Sequence, residues 1–203
     1  MLTLIVLVIG AYLIGSIPFG VIVGRMRGFD PRAVGSGNIG MTNVARAGGA
    51  SAAIITFVGD LLKGALPVLF ARLAGFGPAA IAWTALGAFV GSICSVFLRF
   101  RGGKGGSAAL GIWLVISPLA VLIAAAAFAI VFVIFRIMSL ASLAAVIVGP
   151  PAVALLHLPS PYLLLIIVIT ALMLLRFHSN IARLIRGEEP VFWPKRKSDG
   201  AAA

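Results

Sequence analysis

The sequence predicts an all-α, polytopic integral membrane protein with about seven transmembrane helices. Of its 203 residues, 62% are hydrophobic and only 10% are charged, whereas a soluble domain carries about 25% charged residues. The apolar residues form long uncharged runs that are separated by short clusters of arginine and lysine. One globular core of this size does not hide so much apolar surface, so we expect a single membrane domain over residues 1–203.

The first uncharged run, residues 1–24, predicts the first transmembrane helix. It is apolar from its first residue, and it has neither the positive leader nor the small-residue cleavage site of a signal peptide. We therefore expect this helix to be retained in the membrane.

Three later runs are each longer than one span of about 20 residues, namely 47–98, 105–135 and 137–175. Glycine and proline residues that end helices stand inside all of them, at 75–78, 117–118, 150–151 and 158–161. Each run is therefore expected to cross twice, which makes seven crossings with the first helix. The helix over 105–117 is short, and a re-entrant hairpin is the alternative there.

The basic residues predict how the chain is oriented. The net charge is +11, and the arginines and lysines lie mainly between the apolar runs. When these clusters are placed in the cytoplasm, the N-terminus lies outside and the C-terminus inside. We expect a monomer in the bacterial inner membrane, with anionic lipids and substrates rather than nucleic acid as partners. Residues 195–203 are predicted to be a disordered tail, and the aromatic and basic residues at 191–197 favour an interfacial anchor.

Two glycine-rich segments on the predicted cytoplasmic side, 35–40 and 101–107, indicate a phosphate site. Glycine lets backbone N–H groups converge on an anion, and the N-terminus of a following helix adds partial positive charge. Arg46 and Lys104 would supply full charges. Close helix packing is the alternative use of glycine in membranes. We expect that use for Gly10, Gly15, Gly20, Gly87 and Gly91.

Other polar residues extend this candidate site. The first loop carries five residues with hydrogen-bonding side chains: Ser36, Asn38, Thr42, Asn43 and Arg46. These groups suit a substrate with phosphate and hydroxyl groups, although an inert polar loop has a similar composition. Asp60 and Lys63 share a helix face inside the second span, where they either face a functional cavity or pair to lock neighbouring helices. Ser139 is expected to cap a helix. Ser142, His178 and Asn180 lie on the same predicted face.

Several chemistries lack their usual residue patterns. There is no pair of carboxylates, no metal-ligand cluster and no Walker A loop. The His-x-x-x-x-Asp signature of acyl-CoA-dependent glycerolipid acyltransferases is also missing, because residue 162 is tyrosine and residue 183 is arginine. We therefore expect neither a metal nor another cofactor.

Taken together, these segments resemble the acyl-phosphate-dependent glycerol-3-phosphate acyltransferases of bacteria, the PlsY family. The matching strings occur in family order over nearly the whole chain: GSIPFG at 15–20, GSGNIGMTN with Arg46 at 35–46, GDLLKG at 59–64, FRGGKG at 100–105, SLAS at 139–142, and NIARL with Gly187 and Glu188 at 180–188. The resemblance implies transfer of an acyl group from acyl phosphate to the 1-hydroxyl of glycerol 3-phosphate, giving lysophosphatidic acid and phosphate in phospholipid biosynthesis.

The resemblance also implies site residues. Catalytic roles are predicted for Ser36, Arg46, Lys104, His178 and Asn180, of which Ser36, Arg46 and Lys104 would bind substrate phosphate and Asn180 the glycerol part. Backbone N–H groups of residues 102–107 would hold the acyl phosphate. Substrate-binding positions are predicted at Gly35, Gly37, Asn38, Thr42, Asn43, Gly102, Gly103, Gly105, Gly106, Ser107 and Ser142.

The chain departs from the family pattern at three places. Phe177 occupies the position of the usual family histidine, and His178 replaces it only if the helix end is irregular, because one residue is about 100° of rotation. Gly91 is followed by Ser92 instead of histidine, and the hydroxyl after the second glycine segment moves to Ser107. Two other functions stay open for such a sequence: a transporter or binding protein for phosphate-containing anions, and a paralogue that has lost activity.

Overall fold

The computed structural model describes residues 1–192, and all regular structure in this part of the chain is helical. The predicted tail at 195–203, and most of the predicted anchor at 191–197, lie outside the described residues. Within residues 1–192, nine α-helices follow one another: α1 Leu2–Gly15, α2 Phe19–Met26, α3 Met41–Leu73, α4 Pro78–Ile93, α5 Gly106–Ile116, α6 Pro118–Phe135, α7 Met138–Leu155, α8 Ser160–Arg176 and α9 His178–Ile185.

In the described part of the chain, five helical segments are long and apolar enough to cross a bilayer: 2–26, 41–73, 78–98, 118–135 and 138–155. Helices α8 and α9 add a sixth if the pair, bent by 60°, is taken as one span. Helix α5 is apolar but has only 11 residues, which gives about 16 Å against a hydrocarbon core of about 30 Å. The polytopic helical architecture is confirmed, whereas seven full-length spans are not reached because α5 is short.

Most of the expected breaks fall where glycine and proline stand. Helix α4 begins at Pro78, and α6 begins at Pro118 behind Ser117, whose side chain accepts a hydrogen bond from the Ala120 N–H. Proline suits the first turn of a helix because the N–H that it lacks has no partner there. The break in the last long run comes after Leu155, so the prediction that Pro150 and Pro151 end a helix is wrong.

The structure differs from the expected pattern at two more places. The first run is broken at Pro18, which separates α1 from α2. Residues 41–46 were expected in a loop, but they form the first turns of α3, which is interrupted at Gly49 with a φ of 79°. The polar residues Thr42, Asn43 and Arg46 therefore stand on a helix that begins at the protein surface and continues into the membrane.

Small residues bring helices into close contact. A Cβ atom at Gly15 would collide with the Ala88 backbone, and one at Gly87 would lie 2.8 Å from the Val8 oxygen. Gly20 and Gly91 likewise face neighbouring backbone, so the packing interpretation is confirmed for these four glycines. It is wrong for Gly10, where a Cβ atom would have nothing within 4 Å.

The glycine-rich loops gather at one end of the bundle. Residues 27–40, 94–105 and 136–137 connect helices there, and residues 186–192 follow α9 at the same end. The Arg176 side chain donates to the Gly102 and Gly103 oxygens at 2.6 and 3.1 Å, and the Phe192 N–H donates to the Arg136 oxygen at 2.8 Å. Arg72 lies at the opposite end, where its guanidinium donates to the Val115 oxygen.

Candidate anion and acyl-chain site

A cavity of about 1040 Å³ begins at the end where these loops gather and extends between the helices. Its upper part is polar and is lined by residues of the first glycine segment, of the second glycine segment and of α9. Its lower part is apolar and is lined by residues of α5, α6, α7 and α8, among them Trp113, Ala124, Phe128, Val146, Gly149, Val153, Ile166 and Ile169. A charged ligand with a long apolar chain would match both parts.

Lys104 lies at the centre of the polar part. Its Nζ donates to Asn180 Oδ1 at 2.5 Å and stands 4.7 Å from the centre of the Phe177 ring. Burial lowers the pKa of Lys104 from 10.5 to about 8, a shift that Arg183, Arg46 and Arg176 add to and that Glu189 opposes. A half-buried ammonium surrounded by other cations is a site that an anion stabilises.

The N-terminus of α5 points its backbone N–H groups toward the same space. The Gly105 residue before it has a φ of 81°, a conformation that favours glycine because other residues meet steric cost there. The N–H groups of residues 104–108 have no backbone acceptor among the described residues. Their positive ends face the cavity beside Lys104, which is the usual arrangement at an anion-binding helix terminus.

Gly102 and Gly103 do not join this set of donors. Their N–H groups donate to the Ile93 and Ser92 oxygens at 3.2 and 3.1 Å, and their own oxygens accept from Arg176. The prediction that both glycines offer N–H groups to substrate is therefore wrong. They anchor the loop between α4 and α8, and this leaves the next residues free to face the cavity.

The first glycine segment is shaped by Asn43. This buried side chain donates to the Pro31, Val34 and Asn38 oxygens at 2.7, 3.0 and 2.8 Å and accepts from the Ser36 N–H at 3.1 Å. All of its polar atoms are used inside the loop, so the structure gives Asn43 a positioning role. The loop that it folds places Ser36 and Asn38 on the cavity wall, beside Thr42 at the start of α3.

Arg46 lies on the first turns of α3 and also lines the cavity. Its guanidinium makes no hydrogen bond to the described residues, and its charge acts on Lys104. An exposed arginine without a protein partner has its planar set of donors available for a phosphate. Gly37, in contrast, does not line the cavity.

Glu189 is a residue of the site that the sequence did not single out. It accepts hydrogen bonds from Ser139 at 2.7 Å, Asn180 at 2.5 Å and Arg183 at 2.7 Å. Burial raises its pKa, but these three donors outweigh burial and hold the pKa below its usual value. Asn180 is thus held between the Glu189 carboxylate and the Lys104 ammonium.

Around this network, one prediction fails and another gains no support. Ser139 does not cap α7, because the helix begins after Ile137 and the hydroxyl donates to Glu189 instead. His178 is exposed and does not line the cavity, and its Nδ1 lies 2.9 Å from the Leu175 oxygen. The end of α8 is irregular, since α8 and α9 meet at Phe177 with a bend of 60°, but this bend leaves His178 exposed and does not bring it to the cavity. The geometry thus gives no support to the catalytic role of His178, which stays a prediction.

The predicted Asp60–Lys63 pair forms inside the span. The Lys63 Nζ lies 2.6 Å from Asp60 Oδ1 and donates to the Ile17 oxygen at 3.0 Å, at the break between α1 and α2. Both residues also line the cavity. The two interpretations left open by the sequence therefore apply together, since the pair holds α3 against the break between α1 and α2 and also faces the cavity.

Among residues 1–192, no group of three or more His, Cys, Asp or Glu side chains is placed to hold a metal ion. The predicted positions that line the cavity are Gly35, Ser36, Asn38, Thr42, Asn43, Arg46, Gly103, Lys104, Gly105, Gly106, Ser107, Ser142 and Asn180. Of these, Ser142 Oγ donates to the Met138 oxygen at 2.7 Å. The fold thus brings together residues from both ends of the sequence.

This combination defines a class of protein: an integral membrane protein whose cavity accepts an anionic group beside cations and a long apolar chain between helices. Comparison with known proteins agrees. The profile of the glycerol-3-phosphate acyltransferase family matches residues 5–187. The glycerol-3-phosphate acyltransferase of Trichlorobacter lovleyi is 47% identical over 90% of this chain and 94% of that protein. That of Geotalea daltonii is 46% identical over 93% and 97%.

Solved structures agree with the sequence comparison. The crystal structure of PlsY, an integral membrane glycerol 3-phosphate acyltransferase, in its glycerol 3-phosphate form superposes with a TM-score of 0.91 at 39% identity, over 94% of this chain and 96% of that one. Its lysophosphatidic acid form gives 0.88 at 38% identity, over 93% and 95%. The chain belongs to the glycerol-3-phosphate acyltransferase family.

Proposed function

We propose that the protein transfers a fatty acyl group from acyl phosphate to the 1-hydroxyl of glycerol 3-phosphate and releases lysophosphatidic acid and phosphate. Acylation of glycerol 3-phosphate follows from the family, and the donor and the residue roles are what the proposal adds. The observation that supports it most is the junction inside one cavity of a cationic, N–H-rich end with a long apolar part. An acyl phosphate has the same two parts.

The residues near this junction suit two anionic reactants. Lys104 and the N–H groups at the start of α5 bind the phosphate of the donor, while Arg46 and Ser36 bind that of glycerol 3-phosphate. Asn180 contacts the glycerol hydroxyls from its position between Lys104 and Glu189. Their joint effect is to offset the repulsion between two phosphates and to hold the hydroxyl near the acyl carbon.

The chemical step needs little more than this positioning because acyl phosphate is already activated. The 1-hydroxyl oxygen forms a bond to the acyl carbon, and the bond from that carbon to the phosphate oxygen breaks. Within the described residues, neither His157 nor His178 lines the cavity. We therefore assign the hydroxyl proton to the departing phosphate, which leaves the site as inorganic phosphate.

We infer that the polar end faces the cytoplasm of a bacterial inner membrane. Arg27, Arg99 and Arg101 lie on the connections at that end and Arg25 lies in the last turn of α2 beside them, as the positive-inside rule favours for the cytoplasmic side. Seven segments then cross or enter the bilayer, with α5 as the short one, the N-terminus outside and the C-terminus inside. We also propose that the protein acts as a monomer and as one domain, since one chain supplies every group that the proposed reaction uses.

The test supplies the purified protein with labelled glycerol 3-phosphate and either palmitoyl phosphate or palmitoyl-CoA. We expect lysophosphatidic acid from palmitoyl phosphate alone. Product from palmitoyl-CoA alone would contradict the proposed donor. No product from either donor, in protein that keeps its thermal unfolding transition, would contradict the proposed activity.

A pH dependence follows from the pKa of Lys104. The ammonium must be protonated to bind phosphate, so kcat/KM is expected to be level below about pH 8 and to fall about tenfold per pH unit above it. An unperturbed lysine would keep the plateau to about pH 10. Lys104→Arg is the control, because an arginine stays charged throughout; a fall at the same pH in that variant would assign the titration to another group.

A further inference from the structure

The apolar part of the cavity narrows between α7 and α8. Gly149 and Ile166 both line it, and a Cβ atom at Gly149 would lie 3.1 and 3.2 Å from the Ile166 Cδ1 and Cγ1 atoms. A glycine at this position leaves just enough room beside Ile166 for the cavity to continue. The last residue of α7 that lines the cavity, Val153, lies one helical turn further from the polar end.

The backbone of α7 around Gly149 is held by a contact with α8. Pro150 and Pro151 follow it inside α7, and a proline at 150 leaves the Val146 oxygen without its helical N–H partner. The Thr170 hydroxyl of α8 donates to that oxygen at 3.3 Å. The contact ties the two helices together one turn above the narrow place, so the fold sets the spacing of their backbones there.

The depth of the cavity can be compared with an alkyl chain. Met173 marks the anion-site end of α8, because its Cε lies 4.0 Å from a Cβ atom built at Gly106. From Met173 to Ile166 the helix falls by about 10 Å, and from Gly149 to Val153 by about 6 Å more. An extended alkyl chain advances about 1.25 Å per carbon. It therefore reaches Gly149 with about eight carbons and Val153 with about thirteen.

We propose that Gly149 and Val153 determine how well long acyl chains are accepted: the missing side chain at Gly149 lets chains longer than about eight carbons pass Ile166, and Val153 lies at the point that chains of about thirteen carbons or more reach. This inference rests on the proposed function, since it assigns specificity within the acyl-binding part of that site. The substrate class is then an acyl phosphate whose chain is longer than about eight carbons.

The test measures kcat/KM for acyl phosphates of 8, 12 and 16 carbons. In Gly149→Leu, the isobutyl group fills the passage beside Ile166, so the ratio of kcat/KM for 16 carbons to that for 8 carbons is expected to fall about tenfold or more. Val153→Phe blocks the cavity one turn deeper, and it should reduce turnover of 16 carbons while leaving 8 carbons unchanged. Gly10→Leu is the matched control, because a side chain there meets nothing within 4 Å.

The outcomes distinguish the role of Gly149 and Val153 in chain length from the proposed function itself. An unchanged chain-length ratio in both cavity variants, or an equal loss with all three donors, would overturn the assignment of Gly149 and Val153. Gly149→Leu combined with Ile166→Ala should recover the long-chain substrate, since it returns the removed space at the same place. Wild-type protein that uses none of the three donors would contradict the proposed function instead.

Discussion

Lys104→Ala is expected to lower kcat/KM by about a hundredfold to a thousandfold. The ammonium is the cation nearest the start of α5, and removing one preorganised charge from such a site costs a factor of this size. The change also leaves Asn180 Oδ1 without its donor. The measurement is the initial rate of lysophosphatidic acid formation from palmitoyl phosphate and labelled glycerol 3-phosphate.

Arg101→Ala is the matched control for this variant. Arg101 belongs to the same loop, and its replacement removes the same charge, but the residue is exposed and does not line the cavity. Its rate should stay within about threefold of wild type, because screened surface charges contribute little. Equal losses in the two variants would mean that the general positive potential, and not Lys104 itself, supports the reaction.

Glu189→Ala is expected to destabilise the protein and to reduce its activity together. Its carboxylate holds Ser139, Asn180 and Arg183, and its side chain is 8% exposed. Loss of a buried partner costs about 3 kcal/mol, at the low end of the usual range because Arg183 is 29% exposed. For a chain of this length, this lowers Tm by roughly 6–12 °C.

The activity of Glu189→Ala should fall about tenfold or more, because Asn180 loses the partner that orients it toward Lys104. Glu188→Ala is the control: that neighbouring carboxylate pairs with Arg186 at 2.7 Å on the surface, with both side chains more than half exposed. Such a pair is worth about 0.2–1 kcal/mol. A Tm for Glu189→Ala close to that of Glu188→Ala would show that the network does not hold the site together.

The sequence predicted residues that the fold then placed around one cavity. Arg46 and Lys104 were identifiable because a charge beside clustered glycines favours an anion site. Glu189 gave no such signal, since it stands next to Glu188 and only the fold after α9 turns one carboxylate inward and the other outward. The orientation of His178 was likewise decided by the fold. Its neighbour Phe177 is buried against Lys104, so the histidine points to the surface.

Composition and charge placement were enough to determine the helical membrane architecture. Whether a segment prefers lipid or water depends on its own residues, so this preference can be read directly from the sequence. Which backbone groups stay free was decided only by tertiary contacts. Gly102 and Gly103 resemble in sequence the neighbouring glycines that face the anion site. Their N–H groups, however, donate to the Ile93 and Ser92 oxygens, and their own oxygens accept from Arg176. Pro150 likewise looks like a helix end, but α7 continues through it because Thr170 of the next helix satisfies the carbonyl that proline leaves free.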